Sequence, residues 1–458
     1  MSFVPYWDET NVLVRFIHLI AKLFRASDGK RLVEKVIMSN AMKSLLAIAT
    51  ALLLSAGSAA QLGLPAPQVP HVKLPVDLPD TGPLSAGKLG EMLAAVRIHR
   101  LTQFVRGNRK SIEWDGDKNP AVRGELLAMG VDDTAIAAAQ AQGFKLLSRE
   151  AIEGLDLSYA RFGTPKGMDL KEALSALRKL LPDTEIDANH IYFQSGEGVP
   201  PLAASAAVAD TTVSGASLGL VDGGVADHPS VKGRVEQAGF AIGAPKASSH
   251  GTSVAALMIG SGTVTGARPG ASLLAADVYG TASTDGNAAT IAKALAWLAT
   301  RKVSVVTISL VGPNNALLKN AIQSAQGKGM LIVAAVGNDG PAAPPAYPAS
   351  YRGVIAVTGV DAKNRPLPEA GKAGHIDFAA PGADISSALG VGKTGKVRGT
   401  SFAAPLVAAR LAAHYPRQSI PSIDAAIAKL IGEAQDLGKS GFDTVYGYGL
   451  ICGRCGQK

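Results

Sequence analysis

Cysteine is scarce in this sequence, with two residues among 458, Cys452 and Cys455. Two cysteines are too few for a four-ligand zinc site, and a redox-active Cys-x-x-Cys pair is expected to open a helix rather than to end a chain. A local disulfide between the two is the plainer interpretation, because disulfides persist in exported proteins.

Long apolar runs and basic blocks are also missing. No segment beyond residue 60 offers about 20 uninterrupted apolar residues, so the sequence predicts no stable transmembrane span. Aromatic residues make up 5% of the chain, and no dense cluster of lysine and arginine is interleaved with them. Nucleic acid is therefore set aside as a partner, although the formal net charge is +8.

What the chain does contain is typical of globular proteins. It is 47% hydrophobic, and its length suffices for two or three folded units with a sizeable core. Residues 61–200 carry 16 basic and 18 acidic side chains, whereas residues 201–458 carry 22 and 15. The two regions therefore differ in the sign of their net charge.

Residues 1–60 have the layout of an N-terminal extension followed by a signal peptide. Met42-Lys43 supplies a positive charge, Ser44–Leu54 supplies an apolar run, and Ser58-Ala59-Ala60 supplies the small residues of a cleavage site. We expect export to the periplasm or the extracellular space, with cleavage after Ala60.

The segment before this signal, residues 1–37, is partly amphipathic. It fits an interfacial helix. It also fits a stretch upstream of the true start of translation, which would then be Met38 or Met42 instead of Met1. The second interpretation is preferred because a complete signal peptide follows it.

Residues 61–83 carry six prolines and predict an extended linker. From about Asn119 to Gln194 the pattern predicts strand, helix, strand, strand, helix, strand. Within it, Leu155–Phe162 alternates as a half-buried strand, and Asp169 caps a helix whose leucines fall on one face. This order is that of a small ferredoxin-like α+β module.

The second half of the chain alternates as a doubly wound α/β fold does. The predicted strands are Ser272–Val278, Val303–Ser309, Leu331–Ala335 and Val354–Val360. The predicted helices between them are Ala288–Thr300 and Asn315–Gln326.

Gly399-Thr400-Ser401 opens the segment around which the rest of the chain is arranged. It leads into an alanine-rich stretch to His414 that favours a buried helix, with Pro405 tolerated in the first turn. A helix N-terminus gathers unpaired N–H groups and the positive end of the helix dipole, which suit a hydroxyl whose reaction creates an oxyanion. For Gly-Thr-Ser alone, a capped core helix is the competing interpretation.

Two earlier segments supply an acid and a base. Leu218–Val221 predicts a buried parallel strand, and Asp222 follows at its carboxyl end, where open α/β sheets build their sites. His250 opens a small-residue helix in the run Ser249-His250-Gly251-Thr252. Taken singly, Asp222 would be explained as a turn residue and His250 as a helix cap.

Together these segments resemble the subtilisin-like serine proteases, the subtilase family. Residues 399–405 are similar to the family's nucleophile motif Gly-Thr-Ser-x-Ala-x-Pro, and 222–229 to its aspartate region. His250-Gly251-Thr252 is similar to its histidine motif, with Ser253 where a second histidine is common. The chain order of acid, base and nucleophile is that of subtilisin.

The resemblance implies a fold and a domain order. It implies an α/β fold with a doubly wound, mostly parallel, subtilisin-like sheet, preceded by a small ferredoxin-like pro-domain. The expected parts are an N-terminal extension and signal peptide (1–60), a Pro-rich linker and pro-region (61–118), a pro-domain (119–200) and a catalytic domain (210–458).

The resemblance also implies a serine endopeptidase. Ser401 would be the nucleophile, His250 its general base and Asp222 the group that orients the histidine. Asn338 would donate to the oxyanion, although an Asn-Asp-Gly tract is ordinarily a turn. This chemistry requires no metal and no cofactor. Calcium stabilises relatives, but no carboxylate-rich loop is present on which to place it.

The same resemblance outlines a substrate pocket. Val311 and Ala346 stand where glycine is common, so added side-chain volume predicts a preference for Ala, Val or Leu over Phe and Tyr before the cut bond. Extended peptides would bind as added β-strands. The substrate-binding residues would be Ser309, Leu310, Val311, Gly312, Ala335, Gly337 and Ala346.

The expected partners are protein or peptide substrates and the chain's own pro-domain, acting as an intramolecular inhibitor of a zymogen. Autocleavage is expected between about Gln194 and Thr212, with the small-residue stretch Leu202–Ala209 favoured. The alternative is a catalytically inactive subtilisin-like binding or chaperone module.

Overall fold

A computed structural model describes three ranges of the chain, 86–195, 206–453 and 455. The predicted N-terminal extension and signal peptide (1–60), the linker (61–83) and residues 196–205 lie outside the described residues. Within the described ranges, no helix is long and apolar enough to cross a membrane.

We refer to residues 86–195 as the N-terminal module and to residues 206–453 as the C-terminal domain. Both belong to one compact unit.

The N-terminal module begins with helix α1 (Ala86–Gly107) and continues with a five-stranded sheet and two helices. These elements are β1 (Ile112–Trp114), β2 (Pro120–Met129), α2 (Asp133–Ala141), β3 (Lys145–Ile152), β4 (Leu157–Gly163), α3 (Leu170–Leu180) and β5 (Ile186–His190). The antiparallel order is β5-β2-β4-β3, with β1 also beside β2. This confirms the ferredoxin-like order predicted for this part of the chain.

Helix α3 forms where it was predicted because both of its start signals act. The carboxylate of Asp169 accepts from the N–H of Glu172, and the carboxylate of Glu172 accepts from the N–H of Asp169, which is a complete capping box. Leu170, Ala173 and Leu177 bury one face of the helix in the module's own core.

Helix α1 was not predicted, because it lies within residues interpreted as linker and pro-region. Its first turn contains no acidic residue, so a common start signal is missing. It is held instead by distant contacts: Leu101 and Phe104 are buried, and the Phe104 ring lies edge-on to Phe193 at 5.1 Å.

The C-terminal domain is built on seven parallel strands in the order β16-β15-β14-β12-β7-β11-β9. The strands after the N-terminal module are β7 (Leu218–Asp222), β8 (Gly224–Val225), β9 (Val235–Gly239), β10 (Ala247–Ser248), β11 (Leu273–Asp277), β12 (Val305–Ile308), β13 (Leu310–Val311), β14 (Leu331–Ala335), β15 (Ile355–Val360), β16 (Phe378–Pro381), β17 (Ile385–Gly390) and β18 (Lys393–Val397). The helices are α4 (Ser249–Ile259), α5 (Ala288–Thr300), α6 (Ala316–Gly327), α7 (Thr400–His414) and α8 (Ile423–Glu433), with a short 3₁₀ turn at Ile420–Ser422.

The sheet is buried on both faces, which confirms the doubly wound prediction. Alternate residues of β12 belong to two different apolar clusters, Val305 to one and Val306 to the other. Helices α4 and α7 pack in the first cluster, and α5 and α6 in the second. Parallel strands therefore bring their carboxyl ends, at Asp222 and beyond β12 and β14, to one edge of the sheet.

The two parts of the chain are joined by a short antiparallel pair of strands. Strand β6 (Phe193–Gln194), the last element of the N-terminal module, pairs with β13, with Gln194 opposite Leu310. Buried residues Tyr159 and Tyr192 of the module pack in the same apolar cluster as α5 and α6. The end of the module thus lies at the carboxyl edge of the large sheet.

Candidate active site

Asp222 and His250 are held together by the start of helix α4. Asp222 is fully buried at the end of β7, and Nδ1 of His250 lies 2.9 Å from each of its carboxylate oxygens. Because an ionised carboxylate can only accept, Nδ1 carries the hydrogen and Nε2 of the neutral ring holds a free lone pair. The ring is therefore oriented as a general base.

The glycine after His250 allows this arrangement. A Cβ on Gly251 would lie 2.0 Å from the carbonyl oxygen of Gly223, so another residue would push α4 away from β7. Thr252 Oγ1 accepts from the N–H of Ala226 at 2.8 Å and donates to the carbonyl of Ser248, which ties the helix to the loop after Asp222.

Ser401 is the second residue of α7, and it is fully buried. Its carbonyl accepts from Ser309 Oγ at 3.0 Å. Thr400 Oγ1 donates to the carbonyl of Gly337 at 3.1 Å, so the helix start is bound to the segments that follow both β12 and β14. The predicted buried helix is confirmed and spans Thr400–His414. Pro405 was expected in its first turn, but it is the sixth residue and lies inside the helix.

The last described residue of the N-terminal module, Ser195, lies against Ser401. The N–H of Ser401 donates to the carbonyl oxygen of Ser195 at 3.3 Å, and Ser401 Oγ also donates to that oxygen. The two hydroxyl oxygens are 2.6 Å apart, and the N–H of Ser195 donates to the carbonyl of Ser309 at 3.4 Å. A peptide carbonyl is thus presented to the hydroxyl and the helix-start N–H together.

His250 is not hydrogen-bonded to Ser401 in this arrangement. Its Nε2 is buried and has no hydrogen-bond partner among the described residues. Ser401 Oγ contacts the carbonyl of Ser309 at 3.2 Å as well as Ser195. The imidazole remains beside the start of α7, with its ring centre 5.2 Å from that of Phe402. Contacts between a catalytic base and its nucleophile are often long outside the reacting complex.

Asn338 lies in the loop after β14, next to the start of α7. Its Oδ1 accepts from the N–H of Thr400 at 3.0 Å, which fixes the orientation of the amide. Its Nδ2 is buried and has no partner among the residues that the structure describes. A buried N–H without a partner is costly, so this group is suited to donate to an oxygen that arrives with a substrate.

Two walls flank this region, and each contains predicted substrate-binding residues. Gly312 and Tyr347 exchange backbone hydrogen bonds of 2.9 and 3.1 Å, which bind the walls to each other. Val311, Gly312, Gly337 and Ala346 line a cavity of about 290 Å³ that Phe193 of the module also lines. Of the other predicted residues, Ser309 contacts Ser195 and Leu310 pairs with Gln194 of β6. Ala335 is buried at the end of β14 and does not line the cavity.

A second buried carboxylate, that of Asp277, lies next to Asp222. Asp277 lies beside Asp222 in the sheet and accepts from the N–H groups of Lys246 and Tyr279 at 2.6 and 2.9 Å. Burial raises the pKa of Asp277, and the charge of Asp222 adds to this effect, although the backbone hydrogen bonds act against it. Asp277 orders the loops around Asp222.

The module residues that enter the site were not predicted from the sequence. The stretch Leu202–Ala209, expected as the site of autocleavage, lies partly outside the described residues (202–205), and the residue that lies against Ser401 is Ser195. Ala207 and Ala209 are instead hydrogen-bonded to the backbone of Asp227 and Val225, each at 2.9 Å. The residue that reaches Ser401 is set by the register of β6 against β13. The small size of a residue in the sequence therefore does not identify it.

The two cysteines and the groups that could bind a metal are described as follows. Cys452 and Cys455 are bonded to each other as a disulfide. Across the described ranges, no group of three or more His, Cys, Asp or Glu side chains is arranged to hold a metal ion.

Comparison with known proteins gives a family for this site. The family model Peptidase_S8, described as the subtilase family, matches residues 182–449. Subtilisin Savinase from Lederbergia lenta is 34% identical over 249 residues, which cover 52% of this chain and 90% of that protein. The alkaline protease of Shouchella clausii is 34% identical over 249 residues, which cover 52% of this chain and 63% of that protein.

Solved structures agree at the level of the fold. Fervidolysin from Fervidobacterium pennivorans, described as a keratinolytic enzyme related to subtilisin, superposes with a TM-score of 0.57 at 21% identity, over 72% of this chain and 60% of that one. The epidermin leader peptide processing serine protease of Staphylococcus aureus gives a TM-score of 0.53 at 17% identity, over 72% and 97%. Both alignments extend beyond the residues that the family model matches.

Proposed function

The chain belongs to the subtilase family and is a serine endopeptidase, and from this premise we propose that it cuts peptide bonds through Asp222, His250 and Ser401 by way of an acyl-enzyme. The observation that carries the proposal is the carbonyl of Ser195, which receives hydrogen bonds from both the hydroxyl and the N–H of Ser401. A substrate carbonyl would enter the site beside the same two groups.

The chemistry follows from the atoms around that carbonyl. Ser401 Oγ attacks the carbonyl carbon while its proton passes to Nε2 of His250, and Asp222 stabilises the imidazolium. The tetrahedral oxyanion accepts from the N–H of Ser401 and from Nδ2 of Asn338. The imidazolium then donates its proton to the leaving amine nitrogen as the C–N bond breaks. Water repeats the sequence to hydrolyse the ester.

We further propose that the protein is made as a zymogen that cuts itself between Ser195 and Gly196. Ser195 would be the P1 residue, the residue whose carbonyl is attacked, and it is as small as the predicted preference requires. The N-terminal module would then remain bound as an inhibitor whose carboxyl end occupies the site as a product does.

Ion pairs between the two parts support an inhibitory role for the module. Glu150 of the module pairs with Lys293 of α5. Burial acts to raise the pKa of Glu150, but hydrogen bonds from Lys293, Ser148 and Tyr159 outweigh it and lower that pKa from 4.5 to about 2. Glu185 pairs with Lys319 of α6 at 2.6 Å.

Helix α1 adds a second contact close to the site. Arg97 and Arg100 lie 3.2 and 2.7 Å from the carboxylate of Asp339, which follows Asn338. A Cβ on Gly340 would lie 2.8 Å from Leu93 Cδ1 of the helix, so the loop and the helix are in close contact. We propose that α1 is part of the inhibitor, because it covers the loop that carries the oxyanion donor.

Export completes the proposal. It is supported by the signal-like layout before residue 60, and deletion of residues 43–54 would leave the protein in the cytoplasm. Recovery of an exported chain that still starts at Met1 would contradict this part alone.

Labelling tests whether Ser401 is the nucleophile. The processed protein, diluted until the cut module dissociates, is expected to hydrolyse a peptide and to react with a serine-directed organophosphonate, and Ser401→Ala is expected to lose both properties. Ser422→Ala, at an exposed serine, is the matched control and keeps them. A folded, module-free protein that neither hydrolyses nor labels would favour the inactive binding or chaperone module instead.

A further inference from the structure

Gln194, the residue before Ser195, reaches the catalytic aspartate with its side chain. Its Nε2 lies 2.9 Å from Oδ1 of Asp222 and 3.4 Å from Oγ of Ser248, the residue that caps helix α4. Gln194 and Asp222 are 28 residues apart in sequence, so this contact is made only because β6 pairs with β13.

The hydrogen-bond acceptors around the Gln194 side chain favour a neutral amide over a charged or an apolar group. Oδ1 of Asp222 already accepts from the N–H of Gly223 at 2.7 Å and from Nδ1 of His250. A carboxylate cannot donate, so the atom of Gln194 that faces it must be the NH₂ group. A glutamate in this place would bring a second negative charge against Asp222, and an apolar chain of the same length would bury these acceptors without replacing the donor.

A glycine makes room for the amide. A Cβ on Gly223 would lie 2.6 Å from the Cβ of Ser248 and 3.1 Å from Nε2 of Gln194. Any larger residue after the aspartate would therefore close the gap between β7 and the start of α4. The gap is lined by the hydrogen-bond acceptors Oδ1 of Asp222 and Oγ of Ser248, and the carboxamide of Gln194 occupies it.

We propose that Gly223, Ser248 and the outer edge of Asp222 form a subsite that recognises glutamine at P2, the residue that precedes P1 in a substrate. The inference rests on the proposed cleavage chemistry and deepens it, because it names the class of peptide: those with a glutamine carboxamide followed by a small residue. Ser248 is a positioning residue here, since it contacts the amide and also caps the helix that carries His250.

The expected effect is large for a single side chain. A hydrogen bond from a neutral donor to a charged, buried acceptor corresponds to about a ten- to hundredfold change in binding. Glutamate should be disfavoured more strongly than an apolar residue of equal length, because repulsion is added to the loss of the donor.

The test on substrates uses the processed enzyme, diluted until the cut module dissociates, and one peptide series with serine at P1 and Gln, Met, Glu or Ala at P2. We expect kcat/KM for Gln to exceed that for Met by about tenfold or more, with Glu the poorest of the four. If Met equals or exceeds Gln while all peptides are cut, the P2 inference is overturned and the catalytic proposal stands. If no peptide is cut, the catalytic proposal itself has failed.

The same contact can be tested within the full chain. Gln194→Glu should slow self-processing by about tenfold or more, whereas Gln142→Glu, the same change at an exposed glutamine of the module, should not. Thermal unfolding of both variants in a Ser401→Ala background separates slow cutting from misfolding. If Gln194→Glu and Gln142→Glu are processed at equal rates and are equally stable, the proposal of a glutamine subsite is overturned.

Discussion

Replacement of Val311 by glycine should change which residues are accepted at P1. Val311 is 8% exposed, and its Cγ1 lies 3.2 Å from the position of a Cβ on Gly337. Ala346 lies 3.8 Å from the same position. The space between the two walls at this point is therefore occupied by the valine side chain, which glycine would remove.

The magnitude follows from the volume released. A substrate methylene is worth roughly 1–3 kcal/mol in a hydrophobic pocket, and forcing extra carbons into a packed site costs a similar amount. Val311→Gly deletes three carbons, so kcat/KM for a Phe P1 peptide should rise about ten- to a hundredfold. The value for an Ala peptide should change by no more than about threefold, because alanine does not reach the valine.

The assay is a P1 scan of one peptide series with Ala, Leu and Phe on wild type and Val311→Gly. Ala346→Gly on the opposite wall is the matched variant and should produce a smaller gain for Phe. Thermal unfolding checks that the strand tolerates glycine. A wild-type value for Phe at or above that for Ala would show that Val311 does not limit the size of the P1 residue, as would an equal gain for all three peptides in Val311→Gly.

Two further substitutions and a change of pH test the oxyanion donor Asn338, the Glu150–Lys293 ion pair and the contact of α1 with Asp339. Asn338→Ala should lower kcat by about 100- to 1000-fold with little change in KM, and a loss below tenfold would count against it as a donor. Because the pKa of Glu150 is lowered to about 2 by its contacts, its pairing with Lys293 is present above pH 4.5 and lost as the pH falls toward 2. Sedimentation of the processed protein should therefore show binding of the module about tenfold weaker at pH 3 than at pH 5, and equal binding would exclude this role. Asp339→Asn should weaken the binding of α1 to the loop that carries Asn338, because it removes the charge that Arg97 and Arg100 contact. The residual peptidase activity after processing should therefore be higher, and unchanged inhibition would exclude a role of α1 in the inhibitor.

Elements with local signals could be predicted from the sequence. Helix α5 has the predicted bounds Ala288–Thr300, and β14 has the predicted bounds Leu331–Ala335. The capping box at Asp169 also formed as expected. In each case the propensity of neighbouring residues, the start signals and the burial pattern agree within about a dozen positions.

Contacts between distant segments could not be predicted in the same way. The start of α1 lacks the acidic residues that commonly mark a helix, and α1 is stabilised by Phe193 and Asp339, which lie far along the chain. The position of Ser195 at Ser401 depends on strand register, where a shift of one residue would send a different side chain to the site. Proximity of Asp222 and His250 could be inferred only from motif order.

We propose that Ser401 cuts the chain's own peptide bond after Ser195. Purified wild type and Ser401→Ala, incubated without other proteases and analysed by intact mass and N-terminal sequencing, test it directly. We predict that wild type yields a fragment beginning at Gly196 and that Ser401→Ala stays uncleaved. Cleavage of Ser401→Ala at the wild-type rate, or a wild-type fragment that begins elsewhere, would contradict self-cleavage by Ser401 at this bond.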